Sequence, residues 1–370
     1  MKEFLLIDDL ALNGWKSVIE KSVIKTSGQL KTATSYEEAL IKIEEKFDLI
    51  FLDVRLTEED HYVKEVTEYS GFKILKEIKK DFLKVNFSTP IILITASNKI
   101  WNIDAFRDYG VDSYYIKEHP DFVLSKENSF NNLYNLQNSF LNLLEVGFKR
   151  NEIWTQCKNI IDSLNDHPYF KDEKSKYFNI KNRIIDKIKL GYSQVFKTQT
   201  KIEKEILLSN NESLSFIIFF SILEEISKGF TDISETWDDL FDRKGNWKFR
   251  NKEYFIEKIQ EKVNYEKIEK YRINNNKMLS DEKYNKKGVI NLSEQIYSVL
   301  FFYAKEEKKI ELENQFKEIN QYRNKTDYIH SSVQSILTKS IVTKENLNDA
   351  FDMNLNVLKF INNILKLKIN

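Results

Sequence analysis

The sequence predicts a doubly wound α/β unit on a five-stranded parallel sheet, followed by an all-α unit. Three observations lead there. Short apolar runs alternate with helix-periodic segments over the first third of the chain. Each run closes on an acidic or otherwise polar residue. Beyond that third, apolar residues recur at spacings of three and four almost to the end, and only 9 Gly and 3 Pro interrupt the 370 residues.

The first run, Phe4-Leu5-Leu6-Ile7, reads as a short buried strand ending on Asp8 and Asp9. Leu12, Trp15, Val18 and Ile19 follow at helical spacing, then a strand over Gln29 to Ala33 and a helix over Tyr36 to Lys46. Leu49-Ile50-Phe51-Leu52 is apolar throughout, as a strand covered on both faces must be, and it delivers Asp53 at its C-terminal end. Thr57 to Ser70 is irregular and charged, and Gly71 opens a helix through Ile78. Pro90 introduces the strand Ile91 to Ile94, which ends at Thr95. A helix carrying Ile103, Phe106 and Tyr109 stops at Gly110, and Ser113 to Ile116 is a last strand ending at Lys117.

A parallel sheet gathers all its strand C-termini at one edge, so Asp8, Asp9, Asp53, Thr95 and Lys117 should share a crevice. Three neighbouring carboxylates repel one another unless a cation sits among them, and a hard divalent ion such as Mg²⁺ suits oxygen ligands. With Lys117 to neutralise phosphoryl oxygens and Thr95 to hydrogen-bond them, Asp53 could accept a phosphoryl group as an acyl phosphate.

Asp8-Asp9, Leu52-Asp53, Thr95-Ala96 and the run Gly110 to Lys117 resemble the receiver domain of two-component response regulators, over about residues 1–148. The resemblance implies a flavodoxin-like fold with Asp53 as the phosphorylation site. It also implies Mg²⁺ held by Asp8, Asp9, Asp53 and the main-chain carbonyl of Arg55, with Thr95 and Lys117 sensing the phosphate and Tyr114 as the aromatic switch. A sensor histidine kinase or a phosphotransfer protein would be the phosphodonor. Two departures stand out. The family's Pro soon after the phosphorylated Asp is Thr57 here, and Gly71 comes eighteen residues after Asp53, which implies an insertion spanning Glu58 to Ser70. The family's Pro after the conserved Lys is Glu118 here, with Pro120 following later.

Residues 149–370 read as a helical output domain. Phe130 to Phe148 suits the closing helix of the first domain, continuing toward Lys149 and Arg150. Further helices are expected over Glu152 to Leu164, Lys174 to Leu208, Glu212 to Lys228, Lys252 to Glu269, Leu292 to His330 with a break, and Lys344 to Leu367. Trp237 and Trp247 read as loop anchors, and the basic residues between Lys262 and Lys287 as a solvated face interleaved with acids. Arg323-Asn324 with His330 seven residues after Arg323 is similar to the Arg-polar-spacer-His motif of the HEPN superfamily. That likeness implies a homodimeric, metal-independent ribonuclease using Arg323, Asn324 and His330. The favoured reading of the output is a module that docks a partner; the alternative is that ribonuclease, gated by phosphorylation, with RNA as a ligand only under the alternative.

Composition narrows the classes. With 57 basic and 57 acidic residues no polybasic nucleic-acid grip is evident, and no DNA-binding helix-turn-helix stands out. Cys157 is the lone cysteine, so no internal disulfide can form. Met1-Lys2-Glu3-Phe4 runs directly into a strand without a secretory signal, and the apolar block from Phe216 to Leu223 is too short for a membrane span. These features lead to the expectation of a cytoplasmic protein.

Overall fold

A computed structural model describes residues 1–96, 100–117, 126–167, 170, 178–196, 211–230, 296, 299–300, 304–325 and 344–367. The chain forms two compact units, Met1–Thr155 and Gln156–Asn370. In the first, β1 (Lys2–Ile7), β2 (Gly28–Ala33), β3 (Leu49–Asp53), β4 (Ile91–Thr95) and β5 (Ser113–Ile116) form one sheet in the order β2-β1-β3-β4-β5. Every pairing is parallel. The order steps outward from β1 in both directions, which places helices on both faces and leaves a crevice where the direction reverses, between β1 and β3.

The central strands are apolar on both faces because both are covered. Leu5, Ile7, Ile50, Leu52, Ile91 and Leu93 enter one core with Phe72, Leu75 and Ile78 from α3 (Ser70–Lys79) and Phe106 from α4 (Ile100–Asp108). Their alternate neighbours Phe4, Leu6, Leu49, Phe51, Ile92 and Ile94 enter the other with Leu136, Phe140 and Leu144 of α5 (Lys126–Asp166). Phe140 sits against Phe4 edge-on at 5.2 Å and stacks on Phe51 at 6.0 Å. This two-sided alternation fixes register, since a one-residue slip would exchange the two cores.

Three segments differ from the sequence expectation. The first helical stretch is a 3₁₀ turn (Ala11–Asn13), one turn of α-helix, α1 (Trp15–Val18), and a π-helical turn (Ile19–Ile24). Helix α2 spans Tyr36–Lys42 and ends before Lys46. Helix α5 is a single helix of 41 residues, so the two helices expected on either side of Arg150 are one. No proline falls between Lys126 and Asp166, and the residues just past the expected 148/149 boundary are tied into the first unit. Arg150 pairs with Asp112 at 2.8 Å, Ser88 Oγ donates to Asn151 Oδ1 at 3.2 Å, and Trp154 Nε1 donates to the Phe82 carbonyl at 2.7 Å.

The second unit is helical where described: α6 (Phe178–Val195), α7 (Asn211–Phe230), α8 (Glu306–Lys325) and α9 (Lys344–Leu365). Ile180, Ile184 and Ile188 form the buried stripe of α6, and Phe216, Phe219, Leu223 and Ile226 that of α7. A Cβ on Gly191 would lie 2.4 Å from the Phe219 ring, so glycine lets the two helices close. Between them Glu225, 7% exposed, accepts from Arg183 at 2.9 Å and from Lys187 at 3.1 Å. Phe316 of α8 stacks on Phe360 of α9 at 5.6 Å. Among the described residues no helix is long and apolar enough to cross a membrane. The helix expected over Lys252 to Glu269, Trp237, Trp247 and the basic strip from Lys262 to Lys287 lie outside the described residues.

Candidate phosphoacceptor site

Each site residue sits where a buried strand ends. Asp8 follows β1 and is fully buried, its main-chain N–H donating to the Ala33 carbonyl at 3.0 Å and its Oδ1 accepting from Leu10 N–H at 2.9 Å. Asp9 is exposed beside it. Asp53 ends β3 and is 7% exposed, with Oδ1 accepting from Val54 N–H at 2.6 Å. Thr95 ends β4 and is buried; its carbonyl accepts from Lys117 N–H at 2.7 Å, which places Lys117 just past β5. Gly71 permits this edge to form: a Cβ there would lie 2.1 Å from the Asp53 carbonyl oxygen.

Lys117 draws the site together. Its ammonium donates to Asp53 Oδ2 and lies 2.8 Å from Asp8 Oδ2. Burial works against its charge but is outweighed by Asp53 and Asp8, so its pKa lies above the ordinary lysine value. Burial likewise pushes the Asp53 carboxyl up to about 6; Lys117 pulls the other way, and repulsion from Asp8 adds to the rise. Burial and then Asp8 raise Asp9 as well.

Asp8, Asp9 and Asp53 can each offer one carboxylate oxygen within 4.8 Å of the others. Asp8 Oδ2 is buried and ion-paired with the Lys117 ammonium at 2.8 Å. Three carboxylates converging at one sheet edge are an all-oxygen donor set for a hard cation, so the residues fit Mg²⁺. The N-terminal third of the chain is similar to receiver domains of known structure. Three of these are a CheY-like receiver domain protein from Methanospirillum hungatei, a two-component response regulator from Clostridium difficile, and the receiver domain of a sensor histidine kinase from Pseudomonas aeruginosa with a magnesium ion in its active-site cleft. The first is 22% identical over 37% of this chain and 98% of that one, with a TM-score of 0.25. The second is 24% identical over 37% and 97%, with a TM-score of 0.27, and the third 17% identical over 39% and 98%, with a TM-score of 0.28. No family model matches the chain, and no curated protein matches it.

The remaining expected residues are more dispersed. Tyr114 is 44% exposed on β5, with the Arg107 guanidinium 5.5 Å from its ring. The Arg55 guanidinium lies 5.6 Å from the Tyr69 ring, and its Nη1 is 3.5 Å from His61 Nδ1. Arg323 lies 4.8 Å over the Phe220 ring, and Tyr322 meets Phe216 edge-on at 4.8 Å. The backbone of Asn324 is helical, and His330 lies outside the described residues.

Two residues escaped the sequence reading. Asp60, inside the insertion, is 3% exposed. Its carboxylate accepts from Leu56 N–H at 2.9 Å, Ser70 N–H at 3.0 Å and Thr57 N–H at 3.2 Å, and from the Ser70 hydroxyl. The legible signal was an Asp three residues after Thr57, the spacing of a helix-start cap. Trp15 is the other. Its ring lies 5.4 Å from Lys117 Nζ, and nothing in an apolar helical spacing announces that contact.

Proposed function

We propose that this chain is a response regulator of two-component signalling that takes a phosphoryl group on Asp53. The observation that carries this reading is the Lys117 ammonium, which touches both Asp53 and Asp8 at the sheet edge and completes a buried pocket of opposed charge. In the forward step an Asp53 carboxylate oxygen attacks the phosphorus of the donor. The new P–O bond forms as the bond to the donor breaks, and the donor leaves with that electron pair. Under this reading Lys117 transfers its ion pair from the carboxylate to a phosphoryl oxygen, and Thr95, buried at the end of β4, donates its hydroxyl to another. Asp8, Asp9 and Asp53, with the Arg55 main-chain carbonyl, would hold Mg²⁺. Bound there, the ion supplies positive charge to the phosphoryl oxygens.

The donor under this reading is a sensor histidine kinase or a phosphotransfer protein. The helical unit is the output, and we read it as a docking module for a protein partner. The Phe220 contact gives Arg323 a packing role between α8 and α7, whereas the ribonuclease alternative rests on Arg323, Asn324 and His330 alone. Homodimerisation belongs with either output.

The switch is testable by amide hydrogen exchange with acetyl phosphate and Mg²⁺. Protection around Thr95, Tyr114 and Lys117 is expected to change in the wild type and to stay constant in Asp53→Asn. Identical exchange with and without the donor in wild type would refute the reading.

A further inference from the structure

An ammonium inside a pocket has to be held on every side, and the two carboxylates account for only part of the surroundings of Lys117. The indole of Trp15 supplies another part. Trp15 is the first residue of α1, directly after Asp8-Asp9 and the short 3₁₀ turn, and it is half-buried against the core that holds Phe140. Its ring centre lies 5.4 Å from Lys117 Nζ, within the range over which an aromatic face attracts a cation. The ring is itself held: Tyr115, 7% exposed and two residues before Lys117, meets it edge-on at 6.0 Å and 73°. One aromatic pair therefore links the start of α1 to the end of β5 at the residue that bridges Asp8 and Asp53.

We propose that Trp15 is a positioning residue for the phosphoacceptor site, its indole face holding the Lys117 ammonium where it meets Asp53. The consequence for phosphoryl transfer rests on the reading of Asp53 as the acceptor. A flat aromatic face attracts the charge without taking a proton or competing as a hydrogen-bond acceptor. Lys117 is thereby left free to exchange a carboxylate oxygen for a phosphoryl oxygen. Without the ring the ammonium can swing away from Asp53.

The test uses the full chain as wild type, Trp15→Phe and Trp15→Leu, with two readouts. The first is the rate at which Asp53 is phosphorylated by acetyl phosphate with Mg²⁺. Trp15→Leu is expected to slow it about 3- to 10-fold, and Trp15→Phe, which keeps an aromatic face, to recover most of the rate. The second is the NMR shift of the Lys117 ε-methylene protons, displaced upfield by the indole ring current in wild type and returned toward the ordinary lysine position in Trp15→Leu. An unchanged Lys117 shift in Trp15→Leu overturns the proposal, and so does a wild-type rate in that variant. Should wild type take up no phosphoryl group, the acceptor reading falls, while the Lys117 shift still decides whether Trp15 holds the ammonium.

Discussion

Asp53 and Lys117 are each perturbed by the environment they share, and the consequence can be measured on Asp53. The carboxyl ionises near 3.8 in an unfolded chain and at about 6 in the folded site, chiefly through burial. Between those values the folded protein binds more protons than the unfolded one, so this group's contribution to stability falls as the pH rises through the window. Asp53→Asn removes the slope. The difference in urea-unfolding free energy between wild type and Asp53→Asn, without metal, is expected to shift in favour of the variant by about 1–3 kcal/mol between pH 4 and 7. Saturating Mg²⁺ should lower the Asp53 pKa and stabilise wild type at pH 7 more than the variant. A difference that is flat across this pH range, with no response to Mg²⁺, would contradict the picture of a buried Asp53 in a carboxylate cluster that takes a cation.

At the scale of elements, the insertion Glu58 to Ser70 is folded back by one buried side chain. Asp60 collects three backbone N–H groups and the Ser70 hydroxyl, closing two short 3₁₀ turns (Glu58–His61 and Val66–Glu68) against the end of β3. Burial raises its pKa, but the bonds from Ser70, Leu56 and Thr57 outweigh this and hold it below the ordinary carboxylate value. Its contribution is therefore present above the unfolded pKa and lost as the pH falls through the folded one, opposite in sign to Asp53. Asp60→Ala strands buried donors and is expected to cost about 3 kcal/mol in chemical denaturation at pH 7, whereas a loss within 0.5 kcal/mol, the range of about an ordinary surface change, would show the clamp to be inert. The strands were legible because burial on both faces writes apolar runs, and the acids at their ends marked the sheet edge. The insertion was not, since Asp60 is one acid among Glu58, Glu59, Glu65 and Glu68 until the backbone turns around it. The 3₁₀ and π turns between Ala11 and Ile24 escaped for a related reason: apolar spacing locates a helical face but does not select the hydrogen-bond period.

Over the whole molecule, what the sequence discloses follows the kind of interaction involved. In the first unit Asp8, Asp53, Thr95 and Lys117 meet because topology alone brings parallel strand ends together, so the site could be assembled before any side chain was placed. In the second unit the helices are legible from their stripes, but Arg323 shows why the chemistry is not. A helix places Arg323 on a stripe without saying what lies opposite, and the neighbour is the ring of Phe220, about one hundred residues earlier in the chain. The central claim, that the first unit accepts a phosphoryl group on Asp53, is tested most directly by locating the acyl phosphate. The protein is incubated with acetyl phosphate and Mg²⁺, reduced with borohydride to convert a phosphorylated Asp into homoserine, digested, and its peptides identified by mass spectrometry. Conversion at Asp53 alone, absent in Asp53→Asn and diminished in Lys117→Met, is the predicted result. Conversion at Asp8 or Asp9 in its place, or at no aspartate, would contradict the account.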